Sequence, residues 1–482
     1  MNYRKILSFL GVILIILGLS MLLPIFWSLY YGDSDYSAFM ISSSLTSLIG
    51  LALYKMNKIE GDFHNKEAFV VVSFSWLIAA AFGAIPYMLT GTFTSYADAF
   101  FETMSGFTTT GASVLSDIES LPHGVLFWRS LTHWLGGMGI IVLLVAILSA
   151  IGTGGMQMFR AESPGPITQK IMPRISQTAK ILWYTYLTFT VSQTLLLWLS
   201  GMTMFDALCH TFGTLATGGF STKNASIGHY ESPLIQWIII IFMFLSGANF
   251  ALYYQALRGK SLAIFWKNSE FKLYSLLIIA AVSILSFNLL IFSGYTDIST
   301  IVRDASFQAV SIMTTTGYAT ADFGQWSFAA QTILVILMFI GGCAGSTGGS
   351  IKVGRVLVLL KQTLLELKRA IHPRAILNLK IDGQPVTNEI TINVLQFFFI
   401  FIIITAISTF IMTSMGLDLV TAFTSVAATI TNVGPGLGNV GPVANYGFIP
   451  DAGKYLLSFL MMLGRLELYT VLALLVPSFW KD

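Results

Sequence analysis

Apolar positions in this chain come in long runs that match the thickness of a membrane. A bilayer core needs about 20 consecutive apolar residues in a helix. We find ten such runs, at 6–29, 38–55, 68–90, 125–150, 180–200, 233–257, 273–293, 327–357, 391–415 and 453–477. The first is long enough to span, so we interpret it as a retained membrane helix and not a cleaved signal sequence. The pattern therefore predicts an all-α membrane protein.

Composition supports the same class. Hydrophobic residues make up 55% of the 482 residues and charged residues only 10%, whereas soluble domains average about 25% charged residues. The net charge of +3 is spread along the chain, and the lack of a basic patch argues against nucleic acid as a partner. Cys209 and Cys343 lie among apolar or small residues, so we expect two buried thiols and no disulfide or metal site.

Basic residues indicate the orientation. Lysine and arginine gather on the cytoplasmic side of a membrane protein. Here they cluster before the first span and after the second, fourth, sixth and eighth, at Arg4, Lys5, Lys55, Lys58, Lys66, Arg160, Lys170, Arg174, Lys180, Arg258, Lys260, Lys267, Lys272, Lys361, Lys368, Arg369, Arg374 and Lys380. These clusters share one side if each pair of spans goes out and returns. We therefore expect both termini to be cytoplasmic.

A shorter segment lies between the two spans of each of the last four pairs. Each segment runs from an aspartate to a glycine, at 98–111, 206–218, 304–317 and 418–434. Such regular recurrence indicates four copies of one unit. The predicted division is an extra N-terminal pair of transmembrane helices at 1–66, followed by pore repeats at 67–160, 161–268, 269–385 (with a broken last helix) and 386–482.

The residue order within each segment suggests a pore loop. The aspartate is expected to cap a short helix, and threonine followed by glycine favours an extended backbone with left-handed dihedrals. Four such loops around a pseudo-fourfold axis would replace the water shell of a cation with carbonyl oxygens. One copy could be a plain turn, but four at matching places favour a filter. Its candidate residues are Thr109, Thr110, Gly111, Ala216, Thr217, Gly218, Thr315, Thr316, Gly317, Asn432, Val433 and Gly434.

At these residues the chain resembles the superfamily of K⁺ transporters that includes the Trk, Ktr and plant HKT proteins. The extra N-terminal pair, Thr-Asn-Val-Gly-Pro-Gly-Leu-Gly at 431–438 and Gly-Arg-Leu-Glu-Leu at 464–468 are most similar to TrkH-type members. In that superfamily the filter glycines set selectivity, and a serine in the first repeat marks sodium-preferring plant members. Glycine at all four positions here implies K⁺ as the transported ion, bound at the filter residues, with Rb⁺ accepted. The second repeat departs from the threonine run, so the fourfold symmetry is expected to be approximate.

The eighth span contains a second candidate element, a stretch unsuited to a helix. Five of its nine residues are glycine, and each glycine costs about 1 kcal/mol relative to alanine within a helix. The stretch comprises Gly341, Gly342, Cys343, Ala344, Gly345, Ser346, Thr347, Gly348 and Gly349. Close helix packing is one explanation, whereas the spacing does not fit a phosphate-binding loop. The resemblance implies an intramembrane loop that blocks the pore below the filter.

Arg465 lies within the last predicted span. A charge at that depth costs about 2.5–3.5 kcal/mol on insertion scales and suggests a functional role. A local pair with Glu467, facing another helix, is the alternative. The resemblance places Arg465 in the pore, where its positive charge would raise the barrier to cations.

Taken together, these features predict potassium uptake across the inner (plasma) membrane of a bacterium. The resemblance also implies a homodimer on a cytosolic RCK-type, TrkA-like regulatory subunit that binds nucleotides, for which 361–380 offers a basic docking surface. A K⁺ symporter coupled to H⁺ or Na⁺ would need a buried carboxylate, with Glu102 and Glu467 as candidates. An enzyme would need paired catalytic groups, and none is apparent. No bound cofactor is expected, and His133 is expected to be a packing histidine.

Overall fold

The computed structural model describes residues 1–56, 64–139, 175–292, 294–295, 297–375 and 377–481. The second half of the span predicted at 125–150 and the repeat boundary predicted at 160/161 lie outside these residues. Within the described ranges the chain is mostly helical, with one short β hairpin.

The N-terminal pair of spans forms a helical hairpin. The first span consists of α1 (Tyr3–Ser20) and α2 (Leu23–Tyr31), and the second is α3 (Tyr36–Met56). Helices α1 and α3 pack closely because glycines meet at their crossing. A Cβ atom at Gly11 would lie 2.7 Å from the carbonyl oxygen of Gly50, and one at Gly50 would lie 2.7 Å from that of Gly11. Small residues permit such close approach between membrane helices.

Four units follow, each with a first helix, a short helix in the middle and a second helix. The first two contain α4 (Asn65–Gly83), α5 (Ile85–Leu89), α6 (Tyr96–Phe107), α7 (His123–Gly137), α8 (Ile175–Leu199), α9 (Met204–Leu215), α10 (Pro233–Ser246), α11 (Phe250–Gly259) and α12 (Ala263–Lys267). The last two contain α13 (Ser269–Phe292), α14 (Ile298–Met313), α15 (Phe328–Met338), α16 (Val353–Ile371), α17 (Asn388–Ser414), α18 (Leu419–Ile430), α19 (Asp451–Arg465) and α20 (Tyr469–Leu472). Between α16 and α17, β1 (Lys380–Ile381) and β2 (Gln384–Pro385) form a small antiparallel hairpin.

The four units close into a ring around the short helices α6, α9, α14 and α18. Each short helix packs against the helices of its own unit. Each also contacts the second helix of the preceding unit: α9 contacts α7, α14 contacts α10, and α18 contacts α15. Helix α6 of the first unit contacts α19 of the last, which completes the circle. The predicted fold class, an all-α membrane protein with four membrane–pore–membrane repeats and an extra helix pair, is confirmed.

The spans are less uniform than predicted. Among the described residues five helical stretches are long and apolar enough to cross a membrane, namely Tyr3–Tyr31, Tyr36–Met56, Lys66–Leu89, Ser269–Phe292 and Asn388–Ser414. The run at 327–357 is broken, as predicted, between α15 and α16. The candidate spans at 233–257 and 453–477 are not straight helices, because each is a helix pair bent by 91° or 114°, respectively.

Local chemistry explains both bends. The first follows Gly247, where the side chain of Asn249 accepts a hydrogen bond from the Ala251 N–H (2.8 Å) and starts a new helix. The second lies at Glu467 and Leu468, whose φ angles are 58° and 60°. Left-handed residues cannot continue a right-handed helix.

Candidate ion-conduction site

The short helices begin at caps that differ from the predicted ones. Of the four aspartates that open the repeated segments, only Asp418 is an N-cap, accepting from the Thr421 N–H at 3.0 Å. The other three helices are capped upstream, by Ser95, Thr203 and Asp297. Hydrogen bonds from Thr421 hold the pKa of Asp418 below its ordinary value. Asp418 therefore carries a negative charge at neutral pH, next to the positive end of α18.

The remaining aspartates tie the short helices to other segments. Asp206 accepts from the Thr222 hydroxyl at 2.6 Å, and Asp304 accepts from the Thr320 hydroxyl at 3.2 Å. In each case the partner lies 16 residues downstream, just beyond the following loop. Asp98 instead forms a 2.5 Å ion pair with Lys454 of α19. The first two contacts hold the end of the loop against the short helix that precedes it. The ion pair of Asp98 joins the first unit to the last.

The loops after the four short helices share one unusual backbone conformation. In each, a left-handed residue is followed two positions later by a glycine with positive φ. The φ angles are 54°, 54°, 62° and 56° at Thr109, Thr217, Thr315 and Asn432, and 81°, 83°, 80° and 97° at Gly111, Gly219, Gly317 and Gly434. Positive φ is a strong outlier for a β-branched residue. Strain of this kind, about 1–3 kcal/mol per residue, is characteristic of functional sites.

This regularity corrects the alignment of the second repeat. Gly219, and not Gly218, corresponds to the glycines of the other three loops. Gly218 corresponds to Thr110, Thr316 and Val433, since the four N–H groups donate to the carbonyls of Gly213, Ser105, Ser311 and Ala428 at 2.8–2.9 Å. The sequence held the signal, because Gly219 lies 13 positions after Asp206, the same separation as from Asp98 to Gly111 and from Asp304 to Gly317.

The four glycines bring the loops into a closed ring. A Cβ atom at Gly111 would lie 2.1 Å from the carbonyl oxygen of Gly218, and one at Gly219 would lie 2.0 Å from that of Thr316. The series continues from Gly317 to Val433 at 2.0 Å and from Gly434 to Thr110 at 2.6 Å. Each loop thus places a backbone carbonyl where the preceding loop around the ring has only a hydrogen atom. Four glycines are needed for this approach.

Side chains make the quarters of the ring unequal. The hydroxyls of Thr108 and Thr110 lie 2.8 Å apart, as do those of Thr314 and Thr316. In the fourth loop the Asn432 amide instead donates to the Thr110 hydroxyl at 2.9 Å and to the Met461 carbonyl at 2.9 Å. The first and third loops are therefore alike, while the fourth is joined to the first by an amide.

The glycine-rich stretch at 341–349 lies directly against the third loop of the ring. The Gly349 N–H donates to the Thr315 hydroxyl at 2.7 Å. Elsewhere the stretch is seated on the bend between α10 and α11: the Cys343 N–H donates to the Gly247 carbonyl (2.8 Å), and the Phe250 N–H donates to the Gly345 carbonyl (3.0 Å). The bend in the second unit thus supports the glycine-rich stretch of the third unit.

Arg465, the last residue of α19, bridges this stretch to the first unit. Its guanidinium donates to the Thr347 carbonyl at 2.7 Å and to the carbonyls of Gly136 and Gly137 at 2.7 and 2.8 Å. Glu467, two residues further along, pairs with Arg355 of α16. Arg355 also lies 4.2 Å from the centre of the Phe397 ring.

A buried ion pair between Arg129 and Glu102 stabilises the ring from its outer side. It was not predicted from the sequence. Arg129 of α7 and Glu102 of α6 lie 2.8 Å apart, with 1% and 0% of their side chains exposed. Arg129 also donates to the Ser221 carbonyl (3.1 Å) in the second loop, and Glu102 accepts from the Ser113 hydroxyl (2.9 Å) in the first. Arg129 lies in a predicted span, so the rule on intramembrane charge that selected Arg465 could also have found it.

His133 links the same two loops and is a packing histidine, as its place on a span suggested. One ring nitrogen lies 2.7 Å from the Gly106 carbonyl, and the other accepts from the Phe220 N–H at 3.1 Å. Both nitrogens are occupied by backbone groups, which leaves no lone pair for a ligand.

Comparison with known proteins identifies the group to which the chain belongs. The model of the TrkH family, described as a cation transport protein, matches residues 36–481. The chain belongs to the TrkH family. TrkH-family relatives include the Trk system potassium uptake proteins TrkH of Salmonella typhimurium and of Halomonas elongata, each 40% identical, with all of both chains covered. The crystal structure of the potassium transporter TrkH from Vibrio parahaemolyticus superposes with a TM-score of 0.90 at 36% identity and covers both chains fully.

Proposed function

We propose that this chain takes up K⁺ across the bacterial inner membrane through the ring formed by its four loops. The closed ring of glycines and carbonyls is the observation that carries the proposal. Carbonyl oxygens around an axis can replace the water shell of a cation. The names of the relatives, potassium uptake proteins, support K⁺ as the ion. The carbonyls concerned are those of Thr110, Gly218, Thr316 and Val433, together with their neighbours in each loop.

We further propose that the stretch at 341–349 closes the pore beneath the ring, and that the hydrogen bonds of Arg465 hold it in place. Two contacts support this role. The stretch touches the ring at Thr315, and Arg465 joins it to the far side of the pore at Gly136 and Gly137. A fixed positive charge at this point would also repel a cation that leaves the ring.

A K⁺ symporter driven by H⁺ or Na⁺ is the alternative function. Its candidate carboxylates are both engaged, Glu102 with Arg129 and Glu467 with Arg355. Each carboxylate is already paired with an arginine, so a coupling cation would have to displace that arginine to bind there. The geometry therefore favours passive conduction.

Uptake of Rb⁺ into proteoliposomes separates these two functions. We expect Rb⁺ entry to follow its own electrochemical gradient and to be unchanged when a pH or Na⁺ gradient is added at fixed membrane potential. Vesicles without protein are the control. Uptake that runs against the Rb⁺ gradient at the expense of a H⁺ or Na⁺ gradient would favour the symporter.

The proposal also covers the assembly and orientation of the protein. We infer that the protein is a homodimer with both termini cytoplasmic, and that a nucleotide-binding cytosolic subunit controls the pore. The exposed basic residues Lys368 and Arg369 at the end of α16 support a docking surface there. The repeat boundaries at 67–160, 161–268, 269–385 and 386–482 are part of the same proposal.

A further inference from the structure

Glu270 is a buried carboxylate that the proposed conduction path does not explain. It lies in the first turn of α13 and is 4% exposed. A single oxygen, Oε1, accepts from the Ala344 N–H at 2.7 Å and from the Gly354 N–H at 2.9 Å. A buried carboxylate without such partners would be strongly destabilising, so these two bonds fix where Glu270 lies.

The two donors belong to opposite sides of the same element. Ala344 is in the middle of the stretch at 341–349, whereas Gly354 is in the first turn of α16, just after the stretch ends. A negative charge beside the first turn of a helix is favoured by the helix dipole. Glu270 therefore binds both the stretch and the helix that follows it through the same carboxylate oxygen.

Glu270 is itself held by neighbours outside the stretch. The Ser269 N–H donates to Asp382, in the turn of the β hairpin, at 2.9 Å. The Phe271 N–H donates to Asn268 at 2.8 Å. The start of α13 is thus fixed on both sides of Glu270, which makes it a rigid support for the stretch.

We propose that Glu270 is the positioning residue that keeps the stretch at 341–349 in its closed place under the ring. The inference rests on the proposed closing role of that stretch for its effect on flux. Its effect on the position of the stretch is independent of that role. Loss of the carboxylate leaves the N–H groups of Ala344 and Gly354 without this acceptor, which favours release of the stretch toward water.

A native thiol inside the stretch makes the proposal measurable. Cys343 is 1% exposed, and Cys209, the only other cysteine of the chain, is 0% exposed in α9. Alkylation of both thiols by N-ethylmaleimide can be followed by mass spectrometry of the detergent-solubilised full chain. Cys209 then reports general loosening of the protein, while Cys343 reports movement of the stretch.

We expect Glu270→Ala to raise the alkylation rate of Cys343 by about tenfold, with Cys209 unchanged. Glu270→Gln keeps an oxygen acceptor without the charge and is expected to give an intermediate rate. The matched control is Glu67→Ala, which removes another buried carboxylate that accepts two backbone N–H groups, those of Asn2 (2.9 Å) and His64 (3.0 Å), far along the chain.

The outcomes separate this proposal from the proposed function. An unchanged Cys343 rate in both Glu270 variants, or an equal rise in Glu67→Ala, overturns the role of Glu270. A rise confined to the Glu270 variants upholds it. Rb⁺ flux in proteoliposomes, measured on the same proteins, then tests the closing role: a faster Cys343 rate with unchanged flux upholds Glu270 and contradicts the stretch as the barrier.

Discussion

A serine in place of Gly317 should lower the preference for K⁺ over Na⁺ by about tenfold or more, a change of about 1.4 kcal/mol. Gly317 has a φ of 80°, and a Cβ atom there would lie 2.0 Å from the Val433 carbonyl oxygen. That oxygen is one of the proposed ion ligands, so it must move when the side chain is added. A wider ring no longer fits K⁺ better than Na⁺. Competition between Rb⁺ and Na⁺ in flux assays measures the change.

Gly91→Ser is the matched control for the Gly317 variant. Gly91 has a similar φ of 71°, but a Cβ atom there would have no neighbour within 4 Å. The two variants share the cost of a left-handed side chain, about 1–2 kcal/mol, and differ only in the clash. We expect Gly91→Ser to retain normal selectivity. Unchanged cation selectivity in Gly317→Ser would contradict the assignment of the ring as the filter.

Replacement of Arg465 with alanine should raise Rb⁺ flux several-fold. The change removes three hydrogen bonds from a charged donor, to Thr347, Gly136 and Gly137, each worth about 1.5–3 kcal/mol. It also removes the positive charge that opposes cations. The first effect loosens the stretch at 341–349, and the second lowers the electrostatic barrier to a cation below the ring. The flux of reconstituted protein, normalised to the amount inserted, is the measurement.

Two further variants sharpen the test of Arg465. Arg465→Lys keeps the charge but cannot reach three carbonyls with a planar fork, so an intermediate flux would divide the effect between charge and bridging. Arg258→Ala, at an exposed position in α11, controls for the loss of one positive charge and should leave flux unchanged. A fall in flux for Arg465→Ala at normal expression would count against its role in closing the pore.

The sequence was sufficient to predict the features that recur. Four copies of a threonine and glycine segment between apolar runs predicted the ring of loops, because repetition marks a shared local structure. The break at 341–349 was also predictable, since five glycines in nine residues disfavour a helix. The one-residue error at Gly218 arose because two glycines are adjacent there. The spacing from Asp206 already favours Gly219, and the backbone φ angles decide between them.

The features that were missed depend on partners distant in sequence. Glu270 lies 74 residues before Ala344, and no periodicity links the two. Arg129 reaches Ser221 in another repeat, a contact that requires the ring to be closed first. Both helix bends were overlooked for a related reason. An apolar run of suitable length satisfies the membrane whether its helix is straight or interrupted, so hydropathy alone does not locate a bend.

We propose that the four loops hold K⁺ on their common axis with backbone carbonyls. Anomalous scattering from crystals grown in Rb⁺ tests it most directly. We predict an anomalous peak on the axis, coordinated by the carbonyls of Thr110, Gly218, Thr316 and Val433, that disappears in Gly317→Ser. An ordered Rb⁺ held elsewhere in the chain, with the ring empty, would contradict the claim.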